Sequence, residues 1–246
     1  MNEDVTAVNR MRAITISREY GSGGGEIAAR LAKRLQWDLI DHAIVERTAR
    51  EMGMSQEEAE AHDEYTKSRV SRVLSSMQFL YPASMVLAPP EAFLTDGEYH
   101  TVVNRIVRAV AARGQVVIVG RASQVILAEQ RDILHVRIIA PFEKSVAYVM
   151  QREGLDRSKA ESRIQMKDHD RARQLEVEYH QKPQDARLYD IVLNTSLLDL
   201  ESAVDVICFT LQQKAKGLAT KTGELGPAQG VSRYPDQPGD FHPLEH

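Results

Sequence analysis

The feature that most constrains this chain is the stretch ITISREYGSGGGEIAARLAKRL, residues 14–35. A β-branched run meets a glycine-rich turn, and the turn opens directly into an amphipathic helical pattern. Three further Val/Ile-rich runs, QVVIVG (115–120), ILHVRIIA (133–140) and YDIVLNT (189–195), lie between helical patterns, and DLIDH (38–42) makes a shorter fifth. Runs of this kind separated by helices are what a parallel sheet covered on both faces requires. The expectation is an α/β fold of three layers, α/β/α, around a mostly parallel five-stranded sheet. Val102, Val103, Ile106, Val107 and Val110 form one helical apolar stripe. Leu200, Ala203, Val204, Ile207, Cys208 and Leu211 form another, which puts the cysteine on a core-facing side. A further helix is expected from Pro141 to Arg152, with the proline in its first turn.

Composition narrows the function classes. A chain of 246 residues, 43% hydrophobic, suits one α/β domain carrying an insertion. A net charge of −4 gives no global electrostatic reason to bind nucleic acid. No apolar run approaches the ~18 residues of a membrane helix, and MNEDVTAVNRMR lacks a signal peptide's apolar core. The single Cys208 excludes an internal disulfide and fits a cytoplasmic protein. There is no C-x-x-C, H-E-x-x-H or G-x-S-x-G, so zinc and serine hydrolase chemistry has no support.

The polar section 54–100 reads as an inserted helical subdomain, with Ser55 as an N-cap and a break at YPASMVLAPPEAF. Its apolar stretch MQFLYPASMVLAPP (77–90) either forms a homodimer face or closes the insertion. Residues 1–11 read as an N-terminal arm, and 213–246 as a flexible tail whose final LEH resembles the start of a cloning tag.

Glycines at Gly21, Gly23, Gly24 and Gly25, with Ser22 between, let the backbone turn tightly and expose N–H groups beside a helix N-terminus. Such a loop welcomes an anion without a side chain. The pattern G-x-x-x-x-G-K-[ST] is not met, however: Gly24 takes the lysine's place, and Glu26 stands where nucleotide kinases with that loop often carry threonine. Glu26 favours the helix dipole, repels phosphate, and can hold Mg²⁺ directly or through water. A glycine turn needed only for close packing and a dinucleotide fingerprint lacking its third glycine are the alternatives.

Arg121 follows a strand end, at the edge where open α/β sheets bind ligands, and its fork suits phosphate. A salt-bridged arginine at the sheet edge is the plainer alternative. In REGLDRSKAESRIQMKDHDRARQ, Arg163, Lys167 and Arg171 recur at i, i+4 and i+8, with Arg173 nearby. They make either a cationic lid over phosphates or, with Glu161, Asp168 and Asp170, a solvated salt-bridged helix.

On ITISREYGSGGGEIAARLA, VIVGRASQVIL and YDIVLNTSLLDLESAVDVI, in that order, the chain resembles the nucleoside monophosphate kinases over about residues 12–212, and among them the cytidylate-kinase-like family. The resemblance implies a P-loop NTPase-type core (12–53 and 101–212), a lid at about 153–182 and an acceptor-binding insertion at 54–100. It implies ATP and Mg²⁺ as cofactors and a nucleoside monophosphate or other phosphorylated small molecule as acceptor. The expected binding residues are Arg18, Gly21, Ser22, Gly23, Gly24, Gly25 and Glu26, with Glu26 and Asp41 near the metal. The expected transfer residues are Arg121, Lys167, Arg171 and Arg173. Two departures stand out. Val119 and Ala122 flank Gly-Arg where cytidylate kinases carry aspartates, so cytidine specificity does not carry over. Gly25 stands where the cytidylate-kinase-like group usually has a basic residue, which leaves Arg18 and the lid cations to offset γ-phosphate charge. A phosphotransferase, a nucleotide-binding protein without transfer, and an unrelated scaffold with a structural loop are the three functional classes.

Overall fold

The computed structural model describes residues 8–41, 44–45 and 96–227. The cap expected at Ser55, the apolar stretch 77–90 with its homodimer reading, and residues 228–246 of the tail lie outside those residues.

β-Branched side chains suit the pleat, and the five apolar runs form β1 (Ala13–Arg18), β2 (Asp38–Ile40), β3 (Val116–Val119), β4 (Ile133–Ile139) and β5 (Ile191–Asn194). Between them lie α1 (Gly24–Leu35), α2 (Asp96–Arg113), α3 (Ser123–Ile126), α4 (Phe142–Glu153) and α5 (Arg157–Tyr179), and α6 (Leu200–Gly217) follows β5. Every strand pairing is parallel, in the order β2-β3-β1-β4-β5. Central β1 sets Ile14 opposite Val117 of β3 and Leu134 of β4. This is the P-loop NTPase-type α/β/α core that the resemblance implies.

Pleating sends alternate residues to opposite faces. On one face Ile14, Ile16, Leu134, Val136 and Ile138 pack in one buried cluster with Ile27 and Leu31 of α1 and Val204 and Ile207 of α6. On the other, Ala13, Val116, Ile118 and Ile133 meet the α2 stripe of Val102, Val103, Ile106, Val107 and Val110. That second face changes character along the strands. Its rungs are Ala13 beside Ile133, then Thr15 beside His135, then Ser17 beside Arg137, all buried. Each polar rung closes on itself: Thr15 Oγ1 lies 2.8 Å from His135 Nδ1, and Arg137 Nη1 donates to Ser17 Oγ at 3.1 Å. Apolar packing thus yields to polar groups toward the strands' C-terminal ends, where such sheets present ligands.

Two boundaries differ from expectation. Pro141 is the residue before α4, not in its first turn, and its extended backbone sets the helix entry. α6 continues to Gly217, so the stretch after 212 begins as helix and not as tail. Ala215 is fully buried there, and its carbonyl accepts Arg10 Nη2 at 3.2 Å. Cys208 packs half-buried against the α1–α6 layer. No helix among the described residues is long and apolar enough to cross a membrane.

Truncating Leu134, which is fully buried, to alanine should cost about 2–5 kcal/mol in chemical denaturation. Leu197→Ala, at a position 93% exposed, should stay within about 0.5 kcal/mol. His135 supplies a pH test. Burial pushes its pKa down to about 4, with Lys214 adding to that and Asp190 opposing it. The unfolded chain takes up a proton near pH ~6.5 that the folded chain refuses until about 4, so stability falls as pH drops through that window. The loss is on the order of 3 kcal/mol, and a denaturation series against pH should flatten in that window for His135→Gln.

Candidate phosphate site

β1 ends in Arg18 and hands the chain to the glycine loop. Gly21 adopts φ +81°, and a Cβ there would lie 2.8 Å from both Cβ and O of Ser145, at the start of α4. Only glycine lets the loop run this close to that helix. The loop is pinned on several sides. Thr195 Oγ1 donates to the Ser22 carbonyl at 2.9 Å, and Ser22 Oγ donates to the Glu19 carbonyl at 2.9 Å. Glu19 accepts the Ala140 N–H at 3.2 Å and an Arg137 N–H at 3.4 Å. No side chain caps the N-terminus of α1, so the donors of its first turn, from Gly24 onward, are those an anion would take.

The turn after β3 supplies Arg121. Gly120, Arg121 and Ala122 take φ values of 76°, 58° and 51°, three consecutive left-handed residues. Two of them carry side chains and hold that conformation at a cost of about 1 kcal/mol or more each. The strained turn lets α3 start at once while Arg121 joins the lining of a cleft of about 120 Å³ at the sheet's C-terminal edge. Arg18, Arg121, Arg137 and Arg171 line that cleft with the carboxylates of Glu19 and Asp168, which leaves an excess of two positive charges. Gln124 is only 3% exposed, lines the same cleft, and has no hydrogen-bond partner at Oε1.

α5 roofs the cleft. Its Ile164 is buried with Val146 and Val149 of α4, and Leu175 is buried about one turn beyond Arg171. The face between them carries Asp168 and Arg171. Asp168 Oδ1 accepts the Tyr20 N–H at 2.8 Å, Arg171 Nη1 donates to the Arg18 carbonyl at 3.3 Å, and the Arg171 guanidinium lies 5.4 Å from the Tyr20 ring centre. Tyr20 Oη donates to Glu153 at 2.6 Å. Burial is the main cause of each shift here. It raises the Asp168 carboxyl, lowers the Arg171 guanidinium, and brings Arg18 down to about 10, helped by Arg171 and Arg121. Arg18 therefore stays charged at neutral pH.

The structure brings Arg18, Arg121 and Arg171 together in the cleft. Lys167 and Arg173, expected beside them, are exposed on α5 and do not line the cleft. Arg163 pairs with Glu153. Of the two carboxylates expected near a metal, Glu26 is ion-paired with Arg152 of α4. Asp41 accepts the Ile44 N–H at 3.0 Å and sits within electrostatic reach of Arg18. Among the described residues no three His, Cys, Asp or Glu side chains cluster to hold a metal. The donor set therefore fits polyphosphate closely, and it fits Mg²⁺ only in the manner of an ion held mainly by phosphates and water with one carboxylate. Sequence reasoning missed Arg137, Asp168, Tyr20 and Gln124. A charge inside the otherwise apolar ILHVRIIA was the available signal for the first.

Gly25 is exposed, with nothing within 4 Å of a Cβ built there. Gly25→Ala should therefore stabilise by about 0.4–1 kcal/mol in denaturant. Gly25→Arg should fold equally well and tighten ATP several-fold in calorimetry, by about one charge-assisted contact.

Comparison with known proteins bears on the family. The chain is 31% identical over 102 residues to the cytidylate kinase of Methanopyrus kandleri, which covers 38% of this chain and 53% of that protein. It is 31% identical over 98 residues to the uronate isomerase of Corynebacterium glutamicum, which covers 40% of this chain and 19% of that one. The chain thus spans about half, or less, of the length of these relatives. A crystal structure of an uncharacterized protein from Eubacterium ventriosum superposes with a TM-score of 0.60 at 21% identity, covering 81% of this chain and 98% of that one, a likeness of fold. Residues 13–197, from the start of β1 past the end of β5, match the family model described as cytidylate kinase-like. A match that runs across the whole sheet makes this protein a member of the cytidylate kinase-like family.

Proposed function

We propose that this chain is an ATP-dependent phosphotransferase whose acceptor is a nucleoside monophosphate or another phosphorylated small molecule. The observation that carries the reading is the cleft beside the glycine loop, with four arginines against two carboxylates. An anion relieves that excess, and phosphoryl transfer asks a protein for placement and charge neutralisation more than for covalent chemistry. Backbone N–H groups of Gly21–Gly25 cradle the donor phosphates, and Arg121 holds the acceptor phosphate by its fork. Arg171, carried by α5, neutralises charge that develops on the transferring group. Arg137 holds Ser17 and Glu19 in place through its hydrogen bonds. Asp41 would be the carboxylate that helps hold Mg²⁺, which would supply further neutralisation of phosphate charge; Glu26 would join only by giving up Arg152. Lys167 and Arg173 add long-range attraction from the exposed side of α5. No general base is needed, since an acceptor phosphate is already an anion at neutral pH.

A nucleotide-binding protein without transfer is the second reading, favoured by the glycine at position 24. Incubation with ATP, Mg²⁺ and a panel of nucleoside monophosphates, read by ³¹P NMR, separates the two. The expected result is transfer to one acceptor, reduced on the order of 10²–10³-fold in Arg121→Ala and in Arg171→Ala. No transfer, with ATP still raising the melting temperature, would leave a binding protein. Both variants sit at the cleft surface, whereas a Gly21→Val control would collide with Ser145.

A further inference from the structure

A lysine-bearing phosphate loop places its cation at the residue after G-x-x-x-x-G, so that the ammonium reaches the β- and γ-phosphates. In this chain that residue is Gly24, and the space above it is filled. A Cβ built on Gly24 would lie 2.7 Å from Cβ and 3.1 Å from Cγ of Arg18. The stem of Arg18 therefore runs where a lysine stem would begin. At the other end, a Cβ on Gly120 would overlap Arg18 Nη1 and lie 3.3 Å from Cζ. The side chain is thus threaded from the start of α1 to the end of β3, between two glycines whose missing side chains make its channel. Its guanidinium lines the cleft, where its neighbours in charge are first Arg171 and Arg121, with Asp168 and Asp41 as the offsetting carboxylates.

We infer that Arg18 replaces the loop lysine as the cation on the donor's β- and γ-phosphates, and that residues 18 and 24 carry one cation between them, at one position or the other. The inference rests on the phosphotransferase reading and deepens it by naming the residue that makes a lysine-free loop competent. Arg18 occupies the first position of G-x-x-x-x-G-K, since Gly23 and Gly24 follow five and six residues later. A lysine loop has glycine there and lysine at 24; this chain has the reverse. The exchange is also chemical. A guanidinium offers two parallel donors to a phosphate edge, where an ammonium offers a point charge.

The test is a position swap in the full-length chain, read by melting temperature without ligand, by the shift that ATP and inorganic tripolyphosphate produce, and by ³¹P NMR of transfer. Arg18→Ala should weaken both polyphosphates about 10–100-fold, the loss of one charged hydrogen-bond donor, while Arg18→Lys should retain part of that affinity. Gly24→Lys alone should lower the melting temperature without ligand, because its stem meets Arg18. The double variant Arg18→Gly with Gly24→Lys, which restores G-x-x-x-x-G-K, should recover both melting temperature and polyphosphate affinity. An Arg18→Ala protein that binds ATP as tightly as wild type overturns the inference and leaves the phosphotransferase reading standing. So does a Gly24→Lys protein as stable as wild type, or a double variant no better than either single one. Wild type that binds neither polyphosphate overturns both readings together.

Discussion

Holding like charges together governs this end of the molecule. Arg18, Arg121, Arg137 and Arg171 share one cleft with two carboxylates, and each pair of guanidinium groups raises the energy of the others. Two unit charges 4 Å apart at an effective dielectric of about 20 repel by about 4 kcal/mol. Such a cluster persists only if the scaffold over-determines it. The rung of Ser17 and Arg137 inside the sheet, the Glu19 carboxylate held by Arg137 and the Ala140 N–H, and the three left-handed residues at Gly120–Ala122 are that scaffold. Stability is given up locally, and the hydrophobic layers on both sides of β1 and β4 absorb the loss. The arrangement is organised in advance for an anion, so a bound phosphate meets fixed donors and not flexible ones.

The parallel sheet was legible because β-branched runs and helical stripes each have one period, and burial follows period. Arg121 was legible because a strand end is a fixed place in this architecture. Helix α5 shows where such reading fails. Counting cations at i, i+4 and i+8 selected Arg163, Lys167 and Arg171, but α5 turns to the loop the face set by its few apolar residues. Ile164 and Leu175 are buried, and Asp168 and Arg171 lie between them at helical spacing. Lys167 is one residue, about 100°, off that line, and Arg173 is two residues past Arg171. In a segment so densely charged, the rare apolar positions fix the phase.

The other misses share a cause. Asp168 looked like one more surface acid, yet it caps the Tyr20 N–H at 2.8 Å. Gln124 is an ordinary polar residue in sequence and becomes notable only because burial leaves its Oε1 without a partner. Arg18 was recognisable as a nearby cation, but its relation to Gly24 and Gly120 depends on the path of one side chain through space, which spacing along a chain does not encode.

α5 is also a strut. At about 1.5 Å per residue its 23 residues span roughly 35 Å. Its middle leans on the stretch before the glycines through the Asp168–Tyr20 bond, and its C-terminal end is tethered where Tyr179 Oη donates to Asn104 of α2 at 2.7 Å. The N-terminal half is held separately, by Ala160 and Ile164 packed on Val146 and Val149 of α4 and by the Arg163–Glu153 pair. One rigid rod therefore ties α4, the residue before the glycines and α2 together, so the positions of three separate elements are set against a single axis.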